Sequence, residues 1–159
     1  MPDLYYASSE AIALVAATAV VTLDVTSTGT TRRFSCNELG VTFNGTVATA
    51  VPVIVRLVRT TVAPNSGATI TQAATPLDSS GPASLCTAYM PTTAAAWTTT
   101  APTVGATLRT WYVPPTSGIV VQFPLGQEPD FPATAAAGLG IQCVAPATVS
   151  VNSYLVWTE

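Results

Sequence analysis

The sequence contains no histidine and no lysine, and its five basic residues are all arginines. Only 8% of the 159 residues are charged, against about 25% in an average soluble protein. Without histidine the most common general base is missing, and without lysine neither a Schiff base nor a P-loop can form. These absences predict that the protein is not an enzyme and uses no cofactor.

The net charge of −3 and the scarcity of arginine leave no clustered basic patch, which nucleic-acid binding requires. The longest apolar run, residues 11–23, falls short of the roughly 20 residues of a membrane-spanning helix. Asp3 and Glu10 stand where a signal peptide would carry positive charge. We therefore expect no nucleic-acid partner, no membrane partner, and synthesis in the cytoplasm.

Cysteine is also scarce, with widely spaced residues at Cys36, Cys86 and Cys143. Their odd number and the lack of any CxxC or Cys/His spacing argue against zinc and against a disulfide framework. The sequence predicts three buried free thiols that act as small apolar side chains, with no metal site.

The carboxylates offer one close pair, Glu128 and Asp130, in a predicted loop. This pair could hold calcium together with backbone oxygens, but no repeating acidic spacing supports such a site, and a solvated loop or a salt bridge to an arginine is the ordinary explanation. A sugar-stacking platform is a further alternative, because aromatic side chains in small β-domains either fill the core or present a face to a ligand. The candidates for such a platform are Trp97, Trp111, Tyr112, Phe131, Tyr154 and Trp157.

Apolar and polar residues alternate with a period of two along most of the chain, which predicts half-buried β-strands. The predicted apolar faces are Val21/Leu23/Val25, Leu39/Val41/Phe43, Val53/Val55/Leu57, Ile119/Val121/Phe123/Leu125, Leu139/Ile141/Cys143/Ala145 and Val149/Val151/Leu155/Trp157, the last interrupted by Ser153. Weaker strands are expected over 69–75, 84–89 and 108–113, and residues 9–19 fit either a strand or a short helix. Glycine and proline turns separate these segments, so the sequence predicts one all-β domain over residues 1–159 with roughly eight or nine strands in a sandwich, jelly roll or barrel.

Two segments lack this alternation. Residues 1–9 carry Tyr5 and Tyr6 outside any clear strand and are predicted to form an N-terminal arm. Residues 91–105 read as a long surface loop, which compact domains rarely keep without a role. Tyr5, Tyr6 and Trp97 are therefore predicted to contact a partner, although Trp97 could instead fold back as a lid on the core.

Several short stretches resemble a group of small minor capsid or head-decoration proteins of tailed phages from high-GC hosts. These stretches are Tyr5-Tyr6-Ala7, residues 10–14, Gly40–Thr46, Phe123–Pro129, Gly138–Cys143 and the closing Trp157-Thr158-Glu159. The similarity spans nearly the whole chain, and it departs from the group at Gly126-Gln127-Glu128, where an arginine would be expected in place of Gln127.

This resemblance implies a jelly-roll-like β-sandwich that forms a homo-oligomer, with a trimer expected. It implies a structural virion protein that decorates or stabilises the capsid surface, with the major capsid protein as its partner. It implies no catalytic residues. The alternatives are a tail or baseplate component, or a glycan-binding β-sandwich on a virion surface.

Overall fold

The structure is a computed structural model that describes residues 3–28, 33–46, 51–61, 70–72, 74–97, 100–131 and 134–159. These residues contain strands and no helix. The strands are β1 Leu4–Leu14, β2 Ala19–Ser27, β3 Phe34–Phe43, β4 Val53–Thr60, β5 Ile70–Gln72, β6 Thr75–Pro76, β7 Cys86–Met90, β8 Val104–Val113, β9 Gly118–Gln122, β10 Asp130–Phe131, β11 Gly138–Val144 and β12 Val149–Thr158.

The strands form two antiparallel sheets packed face to face. One has the order β6-β1-β12-β3, with β9 and β10 both pairing with β3, and the other has the order β5-β7-β2-β11-β4-β8. The rows β1-β12-β3-β9 and β2-β11-β4-β8 together make an eight-stranded jelly roll. The predicted all-β, jelly-roll-like sandwich is thus confirmed; β5 and β7 match the weaker strands expected over 69–75 and 84–89, while β1 and the short β10 were not counted among the predicted strands.

The core lies between the sheets and is built largely from the predicted alternating faces; at the start of β2 a bulge corrects the prediction, because Val20 and not Val21 belongs to the core. Leu39, Leu57, Ile141, Val151 and Trp157 are each at most 1% exposed. Inward and outward side chains alternate because successive residues of a strand point to opposite faces. The three cysteines are buried as free thiols, and burial raises the pKa of Cys36 and Cys143 to about 12.

A chain of hydroxyl groups links the two sheets through this core. Ser153 on β12 lies 2.7 Å from the hydroxyl of Ser9 on β1 and 2.9 Å from that of Thr22 on β2. Thr22 donates to the carbonyl oxygen of Ile141 at 3.2 Å. With that proton committed, Thr22 accepts from Ser153, and Ser153 accepts from Ser9. The interruption of the β12 alternation at Ser153 is thus a buried polar link whose members satisfy one another.

The predicted N-terminal arm is corrected by the structure. From Leu4 onward the segment belongs to β1, which lies between β12 and β6 in its sheet. Tyr5 is 1% exposed, and its ring stacks on Trp157 with 6.1 Å between centroids. An aromatic pair of this size at the sheet centre contributes to the core, so Leu4–Ser9 cannot be detached from the fold.

The polar residues of β2, which alternation would place in solvent, are buried as well. Asp24 and Thr26 are each at most 1% exposed, whereas Thr22 is the extra residue of a bulge opposite Ile141 and points into the core. Part of the cover comes from the segment that leads into β8, where Trp97 and Pro102 line one cleft with Val21. The 91–105 segment is therefore a loop as far as residue 103, and it packs partly across the outer face of this sheet; residues 98–99 lie outside the described part.

Candidate interaction surface

β8 is far more exposed than β4, its neighbour in the same sheet. Of its ten residues only Val113 is buried, while Leu108 and Trp111 are half-buried. It pairs with β4 along one edge, and no strand in the described part of the chain pairs with its other edge. A long free edge of this kind is a template for association with another chain.

The neighbouring strand β9 forms the corresponding edge of the facing sheet. It follows β8 after a short turn and pairs with β3 alone among the described strands. Its inward residues Ile119 and Val121 are only half-buried, as is Phe123 just beyond it. The inward side chains at this edge of the sandwich are therefore only partly covered.

Exposed apolar side chains lie on both strands. Tyr112 is 68% exposed and Val120 is 58% exposed, and they point outward from the two sheets, opposite Ile54 on β4 and Gly40 on β3. Exposed large apolar side chains on two neighbouring edge strands favour an interaction site. We refer to β8, β9 and the following turn, residues 124–127, as the open side.

Leu125 is the most exposed large apolar side chain among the described residues, at 96%. Its prediction as a strand residue is corrected, because β9 ends at Gln122 and a turn follows. Gln127 N–H donates to the Pro124 carbonyl at 2.9 Å, and Gly126 has φ of 84°, as the third position of a type II turn requires. The Pro-Leu-Gly order was the sequence signal for this turn, which presents Leu125 to solvent.

The acidic pair beside this turn is engaged by the protein itself. Asp130 forms an ion pair with Arg59 at 2.9 Å and lies 4.0 Å from Arg33. Glu128 accepts a hydrogen bond from the Gly126 N–H at 2.6 Å and so fixes the turn. Of the two explanations of this pair, the salt bridge is the one observed at Asp130. Within the described ranges no cluster of three or more metal-ligating side chains occurs.

The three residues predicted to contact a partner do not come together. Tyr5 is in the core, which corrects its assignment as a contact residue. Tyr6 points to the opposite face of β1 and is half-buried. Trp97 is half-buried and donates from Nε1 to the Val21 carbonyl at 3.1 Å, so it folds back onto the sheet.

The outer face of the β1-β12-β3-β9 sheet carries a polar network that the sequence did not indicate. Tyr154 donates to Glu38 Oε1 at 2.5 Å, and Gln122 donates to Oε2 at 2.7 Å. The bond from Tyr154, followed by that from Gln122, lowers the pKa of Glu38. Desolvation and the Glu38 charge raise the pKa of Tyr154 to about 12. These residues come from three strands, so only the pairing register reveals the network.

A second polar cluster, formed by Asp24 and Thr60, is buried on the outer face of the β2-β11-β4-β8 sheet. Asp24 is fully buried, and its Oδ1 accepts from Thr60 at 2.9 Å. Its Oδ2 has no hydrogen-bond partner among the described residues. Desolvation raises the pKa of Asp24 to about 7, against the opposing effect of Thr60. Asp24 therefore stabilises the fold best when it is protonated.

Comparison with protein families, with curated proteins and with solved structures finds nothing that matches this chain. Among the described residues there is no helix long and apolar enough to cross a bilayer. The arrangement that remains to be explained is the open side, where apolar side chains are exposed and two strand edges pair with no other described strand.

Proposed function

We propose that this protein is a non-enzymatic structural component of a phage virion, which associates with copies of itself and with the major capsid protein on the capsid surface. The observation that carries the proposal is the uncovered open side. β8 has the length of a central strand and nearly no burial, which is the expected state of a strand that another chain covers.

The composition supports an assembled state. A charged surface normally keeps a small domain soluble and separate from its neighbours, and only 8% of this chain is charged. Interface cores exclude lysine and glutamate and favour tyrosine and tryptophan, as found at Trp111 and Tyr112. The resemblance to head-decoration proteins favours a capsid shell, with a trimer as the expected oligomer, over other assemblies.

The test combines sedimentation velocity with co-sedimentation on shells that lack the protein. Tyr112→Asp and Leu125→Asp each place a charge on the open side without altering the core. We expect wild-type protein to be oligomeric and to pellet with shells, and we expect each variant to lose at least about tenfold in association, equivalent to roughly 1.4 kcal/mol.

Leu77→Asp is the matched control. Leu77 is 57% exposed, and it follows β6 at the opposite edge of the sheet from β9. Its substitution should leave oligomerisation and shell binding unchanged. The proposal fails if wild-type protein stays monomeric and never sediments with shells, or if Leu77→Asp and Leu125→Asp have equal effects.

A further inference from the structure

A shallow pocket of about 220 Å³ lies on the outer face of the sheet beside Tyr154. It forms where β1 bulges between Ser9 and Ile12. Ala11, within the bulge, has φ of 54°, and its N–H donates to Asn152 Oδ1 at 2.7 Å. Bulges and left-handed non-glycine residues are strained features that concentrate at functional sites. The bulge therefore bends β1 at the point where the pocket opens on the surface.

An aromatic wall is fixed in place beside the bulge. The Tyr154 ring lies over Gly40, its register partner on β3, and a Cβ at Gly40 would overlap the ring. Tyr6 flanks it with 5.7 Å between centroids and a tilt of 36°. The hydrogen bond to Glu38 anchors the far end of the Tyr154 ring. Because one ring face rests on the backbone, the other is the face that a ligand can reach.

Polar groups complete the pocket. Ser8, Glu10, Thr42 and Asn152 line it, and they supply hydroxyl, carboxylate and amide groups. The Asn152 oxygen is committed to the bulge, while no described residue accepts a hydrogen bond from its amide nitrogen.

We propose that this pocket binds one pyranose ring of a neutral saccharide, with the C–H face of the sugar against Tyr154 and its hydroxyls against the polar rim. An aromatic face beside a few fixed polar groups suits a ligand with one apolar face and many hydroxyls. The volume is below the roughly 300–1,000 Å³ of pockets for larger ligands, so it accommodates a single ring.

The charged side chains around the pocket determine which class of sugar it can bind. Among the described residues no arginine lines the pocket, whereas Glu10 does, so an acidic sugar would be repelled. One ring in an open pocket gives millimolar affinity, which copies arrayed on a shell would reinforce through multivalency. This function is additional to the proposed structural role and does not depend on it.

The experiment is saturation-transfer NMR on wild-type protein with three probes: cellotetraose, maltotetraose and the tetrasaccharide of N-acetylglucosamine. We expect saturation of the ring C–H protons of at least one probe. Tyr6→Leu and Tyr154→Leu should each reduce that transfer at least about fivefold, with circular dichroism showing that both variants remain folded.

Tyr112→Leu is the control, since Tyr112 is an exposed tyrosine on the open side. It should retain sugar binding in full, as should Leu125→Asp even where it loses shell association. The inference is overturned if none of the three probes receives saturation at 10 mM, or if Tyr112→Leu reduces transfer as much as Tyr154→Leu. Should Tyr154→Leu unfold, Tyr6→Leu alone decides the outcome.

Discussion

β2 and β8 belong to the same sheet and have nearly the same length, yet their environments are opposite. Eight of the nine residues of β2 are buried, including Asp24, whereas one of the ten residues of β8 is buried. β2 has strands on both edges and cover on both faces, while β8 pairs with one strand among those described. The difference shows that burial within one sheet runs from nearly complete at β2 to nearly absent at β8.

The largest expected difference between the two strands is in the stability lost when a leucine on each is replaced by alanine. Leu23 on β2 is fully buried, so Leu23→Ala should lower the free energy of unfolding by about 2–5 kcal/mol. Leu108 on β8 is half-buried, and Leu108→Ala should cost the free monomer about 1 kcal/mol. Urea unfolding at low protein concentration measures both. Equal losses would show that β8 is as well covered as β2.

The buried carboxyl of β2 gives the next largest effect. The pKa of Asp24 rises from 3.8 to about 7 in the folded protein, so the folded state holds the proton more tightly. The free energy of unfolding should therefore fall as pH rises from about 4 to 7 and remain low above 7. The shift sets an upper bound of about 4 kcal/mol, at about 1.4 kcal/mol per pKa unit.

Asp24→Asn should remove this slope and raise stability at pH 8. Melting temperatures of the two proteins between pH 5 and pH 8 provide the measurement, in a window where the absence of histidine removes the usual competing titration. A wild-type protein more stable at pH 8 than at pH 5 would contradict the assignment.

A smaller loss is expected from the hydroxyl chain that joins β2 to β12. Ser153→Ala leaves the buried hydroxyls of Ser9 and Thr22 without their shared partner, which costs about 1–3 kcal/mol. Ser117→Ala, in the exposed turn between β8 and β9, provides the control and should have little effect. Chemical unfolding distinguishes them, and a neutral Ser153→Ala would mean that the chain carries no net stability.

The smallest effect on stability is expected for a substitution of an exposed residue in β8. Tyr112→Ala should change the free energy of unfolding of the monomer by no more than about 0.5 kcal/mol, while weakening association. A destabilisation above about 2 kcal/mol, measured by thermal unfolding of the dilute protein, would place Tyr112 inside the fold and not at an interface.

The strands of the jelly roll were readable from the sequence because alternation reports burial of one face. The same rule failed at Asp24 and Thr26, since cover on the second face comes from distant segments. It also failed at Tyr5, whose strand is short of aliphatic residues and gains its burial from Trp157. Alternation continues past Pro124 and predicted a strand at Leu125, but the glycine at position 126 favours a turn there.

The candidate surfaces were less predictable than the fold. The exposure of β8 depends on its position at the sheet edge, which no local pattern encodes. Tyr6 was identified as a contact residue from its aromatic character, but its neighbours Gly40 and Tyr154 depend on the strand register. The scarcity of charge and the lack of catalytic residue types predict a non-enzymatic structural protein, and this stays a prediction.

The central claim is that another chain covers the open side. Hydrogen exchange of residues 104–122, measured in dilute monomer and in protein bound to shells, tests it most directly. We predict fast exchange at the free-edge amides of β8 and β9 in the monomer and a marked gain in protection on the shell, with β2 protected in both states. Unchanged exchange across β8 and β9 on the shell, with protection gained elsewhere on the surface, would contradict the account.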